Sequence, residues 1–156
     1  MLPYVSVVVP PSGTRGASIP VPAPLMKFMN GLIFRIFRNR DFNGGRVLMV
    51  TTVGARSSEQ RSSTLGYFPD GDNGWIIVGS AAGAAKHPAW IYNLAKHPDQ
   101  VWVEMGNRKI KVTPETLTGE TRAQAWQRVI AAAPGYAGYE SKTDREIPIV
   151  RLSPAA

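Results

Sequence analysis

The chain has 156 residues, with 18 Lys or Arg against 11 Asp or Glu, so it carries a formal +7 at pH 7 and a pI near 10.1. Its 44% hydrophobic and 19% charged residues are ordinary globular usage, and the length suits a single domain able to bury a core of its own. The absence of cysteine excludes disulfides, thiolate nucleophiles and cysteine-ligated zinc or iron–sulfur centres. The two histidines, His87 and His97, have no ligand spacing around them, so no metal site is expected. Side chains of this kind do little redox or hydrolytic chemistry unaided, and an enzyme built from them has to borrow a cofactor. The basic balance points to a polyanionic partner without choosing among nucleic acid, an anionic membrane surface and a small ligand with several phosphates or carboxylates. No apolar run reaches the roughly 18 residues of a membrane span. The first residues lack the basic start of a signal peptide, and a soluble cytoplasmic protein is the expectation.

Six prolines among residues 1–24 (Pro3, Pro10, Pro11, Pro20, Pro22 and Pro24) predict an extended, flexible arm. Residues 25–156 then read as one domain. It opens with an amphipathic helix over 25–39, placing Leu25, Met29, Leu32 and Ile36 on one face with Phe28 and Ile33 beside them. Residues 1–40 hold five basic side chains (Arg15, Lys27, Arg35, Arg38 and Arg40) and no acidic one. The helix therefore reads either as a cap on the core or as a peripheral contact with a membrane or greasy substrate.

From Arg46 the pattern becomes that of strands. RVLMVTT is apolar on both faces and predicts a central strand. Thr64–Phe68 and Trp75–Gly79 flank the turn PDGDNG, where Asp70 and Asp72 are expected for conformational reasons. Val101–Met105 and Lys109–Thr113 form a second hairpin around Gly106-Asn107, and Ile147–Leu152 is the last strand. One helix starts near His87-Pro88 and stops by His97-Pro98. A second runs from about Gly119 to Ala132 with Ala123, Trp126, Val129 and Ile130 inward, and a short third follows Gly135. Hairpin-joined strands with late helices predict a mainly β (α+β), closed antiparallel barrel.

Three stretches can carry chemistry. TTVGARSSEQRSST (51–64) reads as a polar loop after a buried strand, offering Gly54, Arg56, Arg61 and four serines to an anion. It lacks the Walker pattern. GSAAGAAKHPAWIYN (79–93) ends a strand in small residues and leads into a helix, so a flat ligand or a phosphate can approach its backbone closely. Lys86 stands before that helix, and Trp90 and Asn93 share one face of it, although a Trp on a helix is as a rule core. No GxGxxG or GxSxG spacing is present, and His87 reads as structural. APGYAGYESKTDREIP (133–148) sets Tyr136 and Tyr139 three apart, where two phenols can stack on a ring, bond a substrate oxygen or pack under the last strand.

In this order the stretches TTVGARSSEQR-SSTLGYFPDG, VGSAAGAAKHPAWIYNL and PGYAGYESKTDREIPIV resemble the deazaflavin-dependent nitroreductase family, actinobacterial enzymes that use coenzyme F420. The KHPAW-x-x-NL and PGYAGY…REIP segments are the most specific. The resemblance implies a six-stranded antiparallel split β-barrel of the FMN-binding type with flanking helices. It implies hydride transfer from the reduced deazaflavin to a small activated acceptor, either a nitroaromatic, an enone or a quinone. The cofactor's phosphate and polyglutamate tail suit a basic host, and the hydride chemistry belongs to the cofactor. Carried over by motif, Ala55, Arg56, Ser57, Arg61, Ser62, Ser63, Thr64, Leu65 and Gly66 hold the phosphate, the tail and a ring edge. Val78, Gly79, Ser80 and Ala81 line the ring. Lys86 with Ala89, Trp90, Ile91, Tyr92 and Asn93 completes the pocket, and Tyr136 and Tyr139 shape the acceptor side. Ser80, a tyrosine or solvent supplies the proton.

Ala55 and Ser58 depart from the family's basic residue and glycine, and Thr64 and Ala81 from its usual proline and its lysine or asparagine. The lost charges weaken the hold on the tail by about 0.5–2 kcal/mol. FMN is the alternative cofactor. A non-catalytic flavin, deazaflavin or lipid carrier is a rival reading. So is a barrel that stacks single-stranded nucleic acid on Trp75, Trp102 or Tyr67, but the scattered basic residues argue against a nucleic-acid partner.

Overall fold

The computed structural model describes residues 7–16, 24–25, 28, 32, 41–42, 45–71 and 74–155. Its strands are β1 (Asp41–Phe42), β2 (Gly45–Val53), β3 (Gln60–Asp70), β4 (Gly74–Val78), β5 (Trp102–Met105), β6 (Arg108–Thr116) and β7 (Ile149–Pro154). Three helices are described, α1 (Ala89–Lys96), α2 (Gly119–Ala132) and α3 (Tyr136–Lys142), together with a 3-10 turn at Ala81–Gly83. The sheet runs β1-β2-β3-β4-β7-β6-β5, and β2 also pairs with β5. That last ladder, with Val50 opposite Val103, closes six strands into a ring. The expected six-stranded antiparallel barrel is present, with the two-residue β1 as an addition to β2.

Alternation along the strands creates two cores. Leu48 and Val50 of β2, Ile77 of β4, Val103 of β5, Val112 of β6 and Val150 and Leu152 of β7 form one cluster with Trp90, Ile91 and Leu94 of α1. The neighbouring positions Ile76 and Val78 of β4 and Ile149 of β7 join Phe68 in a second cluster, against Ala125, Trp126 and Val129 of α2. Fully burying side chains of this size stabilises by about 1.5–3 kcal/mol each, so the barrel does not depend on its polar loops for cohesion.

Several boundaries differ from expectation. Residues 60–64 belong to strand β3 and not to a loop, because β2 pairs with it as far as Val53 opposite Gln60 and the hydroxyls of Thr51 and Ser62 meet at 3.0 Å. Helix α1 starts at Ala89, with His87 ahead of it. On α2 the buried positions are Ala125, Trp126 and Val129, with Ile130 half-buried. Ala123 is exposed because the helix turns Ala125 inward in its place.

Part of the proline-rich arm is tied down. Val7 and Val9 pack on the barrel core, and Val8 donates its N–H to Thr116 Oγ1 at 2.9 Å. Gly13 donates to Ala85 O at 2.8 Å, and the Asp144 carboxylate accepts from the Thr14 N–H and hydroxyl and the Arg15 N–H. The rest of the 1–24 arm, apart from Pro24, and most of the 25–39 helix lie outside the described residues. Leu25, Phe28 and Leu32 of that helix are helical and exposed.

Candidate functional site

Strands β2 and β3 are joined by residues 54–59, a tight turn closed by Gly54 N–H to Glu59 O at 2.7 Å and Ser58 N–H to Gly54 O at 2.9 Å. Its shape is fixed from inside the barrel. Asn93, buried on α1, accepts the Ala55 N–H at 2.9 Å and donates to the buried Thr52 hydroxyl at 3.0 Å. Arg56 and Ser57 are held out toward solvent on this turn. Arg56 makes no ion pair among the described residues, whereas exposed Arg61 at the start of β3 is paired with Glu59 of the turn at 3.1 Å.

The second loop, 79–87, follows β4. Ala81 and Ala82 are left-handed (φ 44° and 54°), which costs about 1–2 kcal/mol for each non-glycine residue. Next comes Gly83 at φ 82°, where a Cβ would lie 2.9 Å from Lys142 Cβ and 3.0 Å from Tyr139 O. Only glycine lets this loop meet the α3 backbone so closely. At Gly66 of β3 a Cβ would lie 3.2 Å from Tyr136 Oη. Helix α3 thus spans from Gly66 to Gly83, bringing together the 79–83 loop, the middle of β3, Tyr136 and Tyr139. The Tyr136 ring meets Phe68 and Tyr139 edge-on, at centroid distances of 5.6 and 5.3 Å. Burial, and secondarily Tyr139, pushes the Tyr136 phenol up to about 12, so it is a neutral hydrogen-bond donor at physiological pH.

Under the 79–87 loop lies Arg145, only 6% exposed. Its guanidinium donates to the carbonyls of Gly79 (3.0 Å), Ser80 (2.7 Å) and Ala84 (2.7 Å) and to His87 Nδ1 at 3.0 Å. A guanidinium can only donate, so Nδ1 is the acceptor and the ring proton sits on Nε2, which donates to Pro10 O at 2.7 Å. Burial lowers the His87 pKa from its ordinary value, the bond to Pro10 partly restores it, and the Arg145 charge lowers it further.

Of the predicted site residues, Gly66, Ala81, Tyr136 and Tyr139 stand near one another around α3, with Gly79 and Ser80 leading into the 81–83 turn from β4. Ala55, Arg56 and Ser57 form the separate β2–β3 turn. Ser62, Ser63, Thr64 and Leu65 lie on β3 between them. Lys86, Ala89 and Tyr92 are exposed. Trp90 and Ile91 correct the sequence expectation: they are 5% and 0% exposed in the barrel core, so they support the site without lining it. Asn93 likewise has both ends of its amide engaged, and Val78 is buried under α2. A surface depression of about 790 Å³, lined by Asp70, Gly71, Gly74, Arg151, Ser153 and Pro154, shares no residue with this set.

Sequence reasoning passed over Arg145 and Asp144, although both stand in the quoted PGYAGYESKTDREIPIV stretch; an arginine a few residues before an apolar strand was the available signal. It also read Asp70 as a turn residue, whereas Asp70 binds both Arg151 and Arg128. Burial raises its pKa, but the hydrogen bonds from those two arginines outweigh this and leave it lowered.

Residues 36–154 match the model of a family described as F420H(2)-dependent quinone reductase. The chain is 36% identical over 109 residues to an F420H(2)-dependent quinone reductase of Mycobacterium tuberculosis, covering 68% of this chain and 72% of that one. It superposes on a solved F420-H2 dependent reductase with a TM-score of 0.61 and 33% identity, covering 69% of this chain and 93% of the other. A likeness to Campylobacter jejuni ChuZ, at 13% identity and TM-score 0.54 over 87% of this chain and 55% of that one, shows the fold alone.

Proposed function

The chain belongs to the F420H(2)-dependent quinone reductase family, and from that premise we propose that it reduces a quinone, with the cofactor lying between the β2–β3 turn and helix α3. It is an F420-dependent oxidoreductase; of the acceptors implied by resemblance, the family's description names only the quinone. The observation that carries the placement is the grouping of Gly66, the 79–83 loop, Tyr136 and Tyr139 around α3.

The residues present fit such a group. The glycines at 66 and 83 keep side chains out of two close approaches, and the exposed Arg56, Arg61 and Lys86 suit an anionic phosphate and tail. When bound, F420H2 supplies the hydride. Arg56 and the Ser57 hydroxyl bind the anionic end, and the small residues Gly79 to Ala82 let a flat ring approach the backbone. Tyr136, neutral at physiological pH, donates a hydrogen bond to the acceptor oxygen and orients it. Tyr139 and Phe68 hold the Tyr136 ring edge-on and exclude water from that side.

Titration of the protein with F420, followed by the cofactor's fluorescence, tests the binding. Oxidation of F420H2 by a soluble naphthoquinone, compared with a nitroaromatic and an enone, tests the acceptor. Unchanged emission at tens of micromolar cofactor would reject the reading; turnover of the nitroaromatic or enone in preference would reject the quinone. A lipid-surface contact through the 25–39 helix is a second part of the reading. It is favoured by Leu25, Phe28 and Leu32, which are 49%, 67% and 46% exposed at i, i+3, i+7 spacing. Failure to co-float with anionic vesicles would exclude it.

A further inference from the structure

Resting on the reading of 79–83 as the ring side of the cofactor site, we propose that Arg145 is a positioning residue. It pre-forms this loop in the free protein by gripping the carbonyls of Gly79, Ser80 and Ala84 at once. Arg145 is a buried cation that makes no ion pair among the described residues. All four of its side-chain partners are neutral, and three are carbonyls of the one loop. Burying a charge without a counter-anion is costly, so charge neutralisation is not what this residue provides. Its planar fork provides geometry: one rigid group reaches carbonyls at 79, 80 and 84 together, which the single ammonium of a lysine cannot.

The gripped segment needs holding. Ala81 and Ala82 sit at positive φ inside the span between the gripped carbonyls, a conformation that alanine leaves when nothing over-determines it. The only other backbone bonds recorded within the turn are Gly83 N–H to Ser80 O at 2.8 Å and Ala84 N–H to Ala81 O at 3.0 Å.

The clamp is itself oriented. His87 Nδ1 receives one Arg145 donor while its Nε2–H is fixed by Pro10 O. Thr143 Oγ1 accepts the Arg145 N–H at 3.3 Å and donates to Arg15 O at 2.9 Å. Without the clamp the loop samples other backbone states, and apparent cofactor affinity falls by the fraction of molecules that remain competent.

The test uses the full chain. Arg145→Lys keeps the charge and loses the fork, and is expected to weaken F420 binding about tenfold or more. It should also speed amide exchange at residues 80–84 in cofactor-free protein, leaving β2 and β5 unchanged. Ala82→Gly, placed in the Arg145→Lys background, removes the left-handed penalty and should recover several-fold of the lost affinity. A residue needed only for folding, or one touching the cofactor directly, would show no such recovery.

Wild-type F420 affinity in folded Arg145→Lys overturns the proposal, as does a loss that Ala82→Gly does not recover. Should Arg145→Lys not fold, His87→Leu removes one of the four acceptors and is expected to give a smaller loss, again recovered by Ala82→Gly; unchanged affinity there overturns it. If the wild type itself fails to bind F420, the cofactor reading falls. The exchange measurement still judges the clamp, and unchanged exchange at 80–84 overturns it.

Discussion

Asn93→Leu removes the amide that ties α1 to the end of β2 and the start of the β2–β3 turn, while keeping the branched outline of the side chain. Two groups lose partners, the buried Thr52 hydroxyl and the half-buried Ala55 N–H. A buried polar group left unsatisfied costs about 1–3 kcal/mol. Thr52, 1% exposed, should stand in the middle of that range, while Ala55 stands at its low end because water can reach it. The sum is about 2–4 kcal/mol, or roughly 5–15 °C in melting temperature for a domain of this size. Urea denaturation monitored by tryptophan fluorescence reads the first quantity, and F420 titration reads whether the turn has lost its grip on the anionic end. Thr52→Val alone should cost about 1–2 kcal/mol. Added to Asn93→Leu it should cost less than the sum, because replacing both partners leaves fewer orphans. A loss under about 0.5 kcal/mol with unchanged F420 affinity, or strict additivity of the two changes, would refute the pinning role.

Tyr136→Phe should leave F420 affinity unchanged and lower kcat/KM for the quinone by about tenfold, the loss of one positioned hydrogen bond. Because the Tyr136 phenol is raised to about 12, wild type and mutant should share the same profile between pH 8 and pH 10, and an alkaline limb confined to the wild type there would contradict the assignment. Arg56→Ala should weaken F420 binding more than Arg61→Ala does, since Arg61 is already paired with Glu59; both losses should shrink in high salt, and the reverse order would assign the tail to Arg61. The folded His87 pKa lies below its ordinary 6.5, so its contribution to stability is complete above pH 6.5 and is lost as pH falls through the folded value. Asp144, held at about 2 by the Thr14 hydroxyl and the Thr14 and Arg15 N–H groups, likewise loses its contribution as pH falls below 4 toward 2. Limited proteolysis between pH 7 and pH 3 should show residues 7–16 cut progressively faster on acidification, and a pH-independent cleavage rate would disprove this coupling.

What the sequence discloses follows from what each signal measures. The hairpins announce themselves because Gly71 and Gly106 take left-handed turns (φ 67° and 58°) between runs of β-formers, and both are local facts. The alternation in β4 that sends Ile76 and Ile77 to different cores is equally local. The small residues at 79–83 and the tyrosine pair stand out as candidate site components without tertiary knowledge. Trp90 is different. An aromatic residue on such a helix faces either the ligand or the core, and only its packing with Leu48 and Val50 of β2 and Val103 of β5 decides for the core. Residues 60–64 look like loop by composition, yet strand pairing with β2 overrides that preference, since sheet propensity depends on neighbours. Arg145 and Asp144 act across 58 to 130 residues of sequence, a separation at which spacing carries no signal.

Among the described residues the buried polar and charged side chains are Thr52, His87, Asn93, Thr143 and Arg145. Thr52 and Asn93 hold the β2–β3 turn; His87 and Arg145 hold the 79–87 loop; Thr143 ties Arg145 to the arm at Arg15. None of the five is used to join one barrel strand to another. Among the fully buried side chains, those that join barrel strands are apolar, and the costly polar burial is confined to shaping backbone at the proposed site. Substitutions within the two apolar clusters that keep volume should leave F420 binding intact while changing stability by less than about 1.5 kcal/mol. Removal of any of the five should change binding out of proportion to the stability it costs. In a chain without cysteine, whose two histidines are a neutral clamp partner and a helix C-cap, the proposed site has this means of working: fixed loops of backbone that would hold a reactive cofactor in place.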